Sequence, residues 1–269
     1  MMLEWVRRIA VVQPELRRER LLEILREEEL PFCLQRGQEG DHWVENIRVP
    51  FCAGKGRLVL GAHYDNVIGS TAANDNASGV AVLLALARWL RTRKAGNLEI
   101  VFFDREEYSD HGSAAYLKSV GPETIRAMLN LDMCGFGDAI ILIHKGNLEN
   151  PDFSGLLDTK ALSRHTVRLV EQVPFKIGDD EQFQRSLVPN ATLQTLPAGE
   201  ADLFAREALA IKQNGGKMTP EMRELLNHSP VKYTCHNGPQ DHIGSVSEQS
   251  MQLVFQYLKD SLREWFPCR

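Results

Sequence analysis

Four short stretches of this 269-residue chain offer imidazole or carboxylate groups that could share metal ions. They are Gly61-Ala62-His63-Tyr64-Asp65, Asn74-Asp75-Asn76-Ala77-Ser78-Gly79, Phe103-Asp104-Arg105-Glu106-Glu107 and Leu129-Asn130-Leu131-Asp132. A late histidine, His236, follows in a loop-like run before the last helical segment. Nitrogen and oxygen donors without thiolate suit a hydrolytic zinc centre that keeps an open position. His63 and Asp65 stand two apart, and alternate residues of a strand share a face, so the imidazole can bind metal while Asp65 orients it. Asp75, between two asparagines and ahead of a helical pattern, reads equally as a helix N-cap or as a carboxylate facing two cations with one oxygen each. Glu106 and Glu107 close behind an apolar run are costly unless something cationic compensates them. In a turn one of them can ligate metal while the other takes a proton from water. Asp132, at the end of a hydrophobic run, needs a partner of opposite charge. Taken singly, these residues also fit a core histidine, a cap and surface acids.

The groups converge only if the runs before them are neighbouring strands. Residues 57–62, 98–103 and 127–131 are short apolar runs of the kind that buried parallel strands show. Further strands are expected near 32–36, 43–50, 139–143 and 190–196. Helical patterns cover 2–30, with a break near Pro14, and 79–93, 158–173 and 246–265. The expected architecture is α/β: three layers, α/β/α, around a mostly parallel mixed central sheet. Such sheets form sites beyond the carboxyl ends of their strands, where His63, Glu106, Glu107 and Asp132 all fall. The polar stretch 201–232, broken at Asn214-Gly215-Gly216, is expected to be an insertion forming a lid or rim within a single domain, 1–269.

Bulk properties narrow the partners. Hydrophobic content of 43% and charged content of 25% are ordinary for a globular protein. The net charge of −5 gives no support for nucleic-acid binding. Basic residues near the start, as in Arg17-Arg18-Glu19-Arg20, alternate with Glu and read as the solvated face of a helix. No apolar run approaches the roughly 18 residues that span a bilayer, so no membrane partner is expected. The first residues lack the order of a signal peptide, and five cysteines without a CxxC pair fit a reducing compartment; the expected location is cytoplasmic. No glycine-rich phosphate-binding pattern follows any strand.

Together the motifs resemble metallopeptidase family twenty-eight, the di-zinc aminopeptidases of leucyl aminopeptidase and aminopeptidase Y type, over roughly residues 45–265. The resemblance implies that His63 and Asp132 hold one zinc, that Glu107 and His236 hold the other, and that Asp75 bridges them. It further implies Glu106 as general base, Asp65 as support for the His63 imidazole, and a cis peptide at Asp75-Asn76. Gly178-Asp179-Asp180-Glu181-Gln182-Phe183 is similar to the family's Ser-Asp-His-x-x-Phe segment, and Asp179 and Asp180 become candidates for binding a substrate amine. The implied reaction removes the N-terminal residue of peptides with a free N-terminus, by a hydroxide held on two Zn2+ ions, with Co2+ or Mn2+ as substitutes. Alternatives on the same scaffold are a single-zinc glutaminyl cyclase, a carboxypeptidase or amino-acid deacylase, and a non-catalytic binding module. All five ligand positions and the base are in place, which favours the dinuclear peptidase. Departures from the family pattern are Ser109-Asp110 after the Glu pair, Asp180 for its usual His, and one extra residue in the His236 loop. They bear on the substrate pocket rather than on the metals.

Overall fold

The computed structural model describes residues 1–265 except 52–54, 94–95, 148–149, 154–155, 157–158, 172, 174–177 and 237. Among the described residues eight strands make one mixed sheet: β1 (Cys33–Glu39), β2 (His42–Pro50), β3 (Arg57–His63), β4 (Leu98–Phe103), β5 (Ile125–Leu131), β6 (Ala139–Ile143), β7 (Val167–Val170) and β8 (Asn190–Leu196). Their order is β1-β2-β4-β3-β5-β8-β6-β7. The four central strands, β4, β3, β5 and β8, are mutually parallel, so their carboxyl ends open on one edge. The β1–β2 hairpin adds to β4 antiparallel, and β6 runs antiparallel to β8.

β3, β4 and β5 are mostly apolar on both faces because both are covered, whereas β8 carries Asn190, Thr192 and Gln194 along one face. Leu58, Leu60, Ala62, Ile100, Phe102 and Leu129 enter the larger core, together with residues of α1 (Met2–Ile9), α2 (Pro14–Glu27), α3 (Gly79–Arg91) and α9 (Glu248–Trp265). Val59, Val101, Phe103 and Met128 point the other way, toward Tyr116 of α4 (His111–Val120) and Phe183 of α6 (Asp180–Arg185). Gly61 is where β3 lets the Phe103 ring close in: a Cβ there would lie 2.4 Å from Phe103 Cε2.

Three expectations change. The helix expected over 158–173 is only α5 (Thr159–Arg164); β7 then pairs in register with β6, Ile140 opposite Val167, and residues 158 and 172 lie outside the described residues. Hydrogen bonding to the outer edge of the buried strand β6 outweighs the helical pattern of so short a stretch. The stretch 201–232 does break at Gly215 and Gly216, both left-handed, between α7 (Ala198–Gln213) and α8 (Pro220–His228). α7 buries Ala201, Phe204, Ala208 and Ile211 with Ile141 and Ile143 of β6, so it is a covering layer of the sheet as well, while Phe204 and, from α8 packed on it, Leu225 and Leu226 border a cavity. Finally, Arg17 is fully buried, while Arg18 and Arg20 pair at the surface with Glu45 and Glu23.

Candidate active site

His63 closes β3 and is buried. Its Nε2 lies 3.2 Å from Asp75 Oδ1, 3.7 Å from Asp132 Oδ1 and 4.0 Å from Glu106 Oε2. On the other side of the same carboxylate, His236 Nε2 lies 3.8 Å from Asp75 Oδ2 and 3.8 Å from Glu107 Oε2. The two oxygens of Asp75 therefore belong to two different donor sets. Ligands about 2.0–2.1 Å from a tetrahedral zinc are about 3.3 Å apart, close to these separations. Among the described residues, His63, Asp75 and Glu107 offer donor atoms within 4.8 Å of one another, close enough to hold a metal ion.

Local sequence explains how Asp75 comes to be free for this. Asn76, not Asp75, caps α3, its Oδ1 accepting from Gly79 N–H at 3.0 Å, while its Nδ2 donates to Leu131 O at 2.8 Å. Asn74 ties the same loop to the far segments, donating to Thr234 Oγ1 and accepting from Gly135 N–H. The Asp75–Asn76 peptide is cis. The N-cap reading of this turn thus applies to the residue next to the acid.

Asp65 does more than face the imidazole. Its Oδ1 stands 3.3 Å from His63 Nδ1, and its two oxygens accept Glu106 N–H at 3.0 Å and Glu107 N–H at 3.2 Å. One carboxylate thus holds the turn that presents both glutamates, with Arg105 left-handed at φ 55°. Asp65→Ala is expected to lower zinc affinity and turnover by about ten- to a hundredfold. Zinc titration beside steady-state kinetics checks this, and wild-type values in both would remove Asp65 from the site.

The electrostatics call for cations. Burial pushes Glu107 up to about 8, with Asp75 repelling its charge. Burial also holds Glu106 well above the usual carboxylate range; His63 opposes this, and Asp179, Asp132 and Asp75 add to it. Asp132 is raised by burial too. His63 goes the other way: although burial disfavours its charge, Asp132, Asp65 and Asp75 keep it protonated well above its ordinary range. Asp132 Oδ1 is buried without a hydrogen-bond partner. Asp75, Glu106, Glu107 and Asp132 all line one cavity, an excess of acids that favours a bound cation.

That cavity holds about 760 Å³. Beyond the acids an apolar stretch of wall comes from Met133, Leu196, Phe204, Leu225, Leu226 and Val231, with Gln194, Ser229 and Lys232 also lining the cavity. Reading the chain by its acids and histidines misses this wall; the apolar positions of α7 and α8 were its signal. Asp179 and Asp180 are not brought to the cavity. Both are fully buried, and Asp180 is taken by Lys145 at 2.9 Å and Thr192 Oγ1 at 2.7 Å. Gly178 lines it instead, at φ 134°, where a Cβ would lie 3.1 Å from Glu106 Oε1.

Comparison with known proteins shows the family and the fold. The model of peptidase family M28 matches residues 49–259. A zinc aminopeptidase from Bacillus subtilis superposes with a TM-score of 0.61 at 18% identity, over 84% of this chain and 51% of its own. A glutaminyl cyclase from Porphyromonas gingivalis gives 0.70 at 20% identity, over 98% of this chain and 97% of its own. At these identities the likeness shows the fold. A vacuolar membrane protease of Pyricularia oryzae is 30% identical over 121 residues, 42% of this chain; the chain spans 12% of that relative's length. Several curated relatives carry the same name, and it overturns the cytoplasmic location expected from cysteine usage and the first residues. Cysteine spacing reports on redox chemistry and carries no address. Among the described residues no helix is long and apolar enough to cross a membrane.

Proposed function

The chain belongs to peptidase family M28, and on that premise we propose that it is a di-zinc aminopeptidase removing the N-terminal residue of peptides. The observation that carries the reading is Asp75, whose Oδ1 faces His63 and whose Oδ2 faces His236, with Asp132 beside the first histidine and Glu107 beside the second. His63, Asp132 and Asp75 would hold one zinc, and Glu107, His236 and Asp75 the other. Bound there, the metals supply Lewis acidity and bring the pKa of water toward neutrality.

The remaining work falls to side chains. Glu106 lines the cavity beside the donors but is not needed as a ligand. Cations next to it favour its ionised form and so reverse the upward push of burial. It then takes the proton of the attacking water and returns it to the leaving amine. Asp65 fixes the turn that aims it. The apolar wall from α7 and α8 receives the side chain of the first residue, which selects apolar N-terminal residues.

Aminoacyl-nitroanilides offered with and without an N-terminal block test the reading. Free-amine substrates with Leu or Phe are expected to be cleaved and blocked ones spared; equal cleavage of both rejects aminopeptidase action. The cyclase reading has one observation in its favour, the near-complete mutual coverage with the Porphyromonas gingivalis enzyme. Ammonia release from a Gln-initiated peptide without loss of a residue would establish it. His63, with Asp75 Oδ1 and Asp132 Oδ1 both near its Nε2, supplies a second donor set, which favours the peptidase.

A further inference from the structure

Arg17 lies outside the span that matches the family, on α2, yet its guanidinium reaches behind the metal donors. Nε donates to Tyr64 O, the carbonyl between His63 and Asp65. Nη1 donates to Thr71 O at 2.8 Å and Ile9 O at 3.3 Å, and Nη2 to Ala72 O at 3.0 Å. Ala72 is left-handed, at φ 48°, and leads directly into the turn of Asp75. From the other end, Asp241 is buried on the segment that follows His236. Its Oδ1 accepts Asn74 N–H at 2.8 Å and Asp75 N–H at 3.4 Å, and its Oδ2 accepts the Ser70 hydroxyl at 3.2 Å. Its carbonyl takes the Thr71 hydroxyl at 2.7 Å. Residues 70–75 are thus gripped through their carbonyls by a buried cation and through their amides by a buried acid.

We propose that Arg17 and Asp241 are positioning residues, a two-sided clamp that sets the Asp75 carboxylate between the two donor sets. The inference rests on the reading of Asp75 as a metal bridge. A planar fork with donors in three directions suits the Arg17 position; an ammonium on a flexible stem cannot serve the same carbonyls. Asp241 sits on the same segment as His236, so the clamp also ties one zinc's histidine to the shared carboxylate.

The sign of one effect separates clamp from charge. Removing a cation from behind an acidic site strengthens its Coulomb attraction for Zn2+. Removing a positioning residue weakens binding. Zinc dissociation constants are measured by chelator competition on the full chain for the wild type, Arg17→Met, Arg17→Lys, Asp241→Ala and Asp241→Asn. Far-UV circular dichroism and the melting midpoint of each metal-free protein are recorded alongside. The clamp predicts about ten- to a hundredfold weaker zinc binding in Arg17→Met, Arg17→Lys and Asp241→Ala, with metal-free proteins that still fold. Asp241→Asn, which loses the same charge as Asp241→Ala but keeps an oxygen for the two amides, binds zinc clearly more tightly than Asp241→Ala. Unchanged or tighter binding in Arg17→Met and Asp241→Ala overturns the proposal, even if their midpoints fall, because that is a structural role alone. If the Arg17 variants do not fold, the Asp241→Ala and Asp241→Asn pair decides by itself: equal affinities overturn the clamp. A wild-type chain that binds fewer than two zinc ions contradicts the bridge itself, a separate failure visible before any variant is made.

Discussion

Glu106→Gln is expected to keep both metals and to lose turnover by roughly a hundred- to ten-thousandfold, the usual range for removal of a general acid–base group. The substitution is nearly isosteric, and none of the described donor pairs around Asp75 needs Glu106: His63 meets Asp75 and Asp132 more closely than it meets Glu106. What disappears is an oxygen that can carry a proton from water to the departing amine. Elemental analysis should find unchanged zinc, and steady-state kinetics should place the loss in kcat with KM little altered. Near-normal turnover would take the base role from Glu106. Loss of zinc would make it a ligand.

Asp75→Ala should be more severe still, because one side chain serves both donor sets. His63 with Asp132, and Glu107 with His236, would each be left as a pair of ligands, short of the three protein ligands of a catalytic zinc site. The expected result is zinc content falling below one ion per chain after dialysis, with turnover lost in step. Asn76 keeps its cap on α3 in this variant, so the turn itself stays supported. Two zinc ions retained at wild-type affinity would show that the bridge is elsewhere.

Much of this site is legible before any coordinates, for a physical reason. Parallel strands buried on both faces leave continuous apolar runs, and the residue after such a run is where a sheet edge meets solvent. His63, the Glu106–Glu107 pair and Asp132 carry that signature, and β3, β4 and β5 lie side by side as their runs imply. What escaped is three-dimensional. Asp65 resembles a partner for one imidazole, yet its second task, holding two amides of a turn 41 and 42 positions away, is not written near it. Asp179 and Asp180 match a family segment by position, but the short helix they begin turns both side chains inward. Arg17 is the instructive miss. In an Arg- and Glu-rich helix it looks solvated, but Leu21 and Ile24 follow it at helical spacing and are fully buried, so it shares their inward face. An arginine on that face implies acceptors behind it, and three of them, Tyr64, Thr71 and Ala72, lie in the segments that carry His63 and Asp75.

The wall of the cavity was illegible for a different reason. Phe204, Leu225 and Leu226 sit among charged residues in 201–232, and only the packing of α7 on β6 shows which of them turn toward the acids.

The central claim is a pair of metals sharing Asp75, and anomalous diffraction from crystals grown with zinc tests it most directly. The account predicts two peaks about 3.5–4 Å apart, one on each side of the Asp75 carboxylate, with His63 and Asp132 on one and Glu107 and His236 on the other. A single peak, or two peaks of which only one touches Asp75, would contradict it.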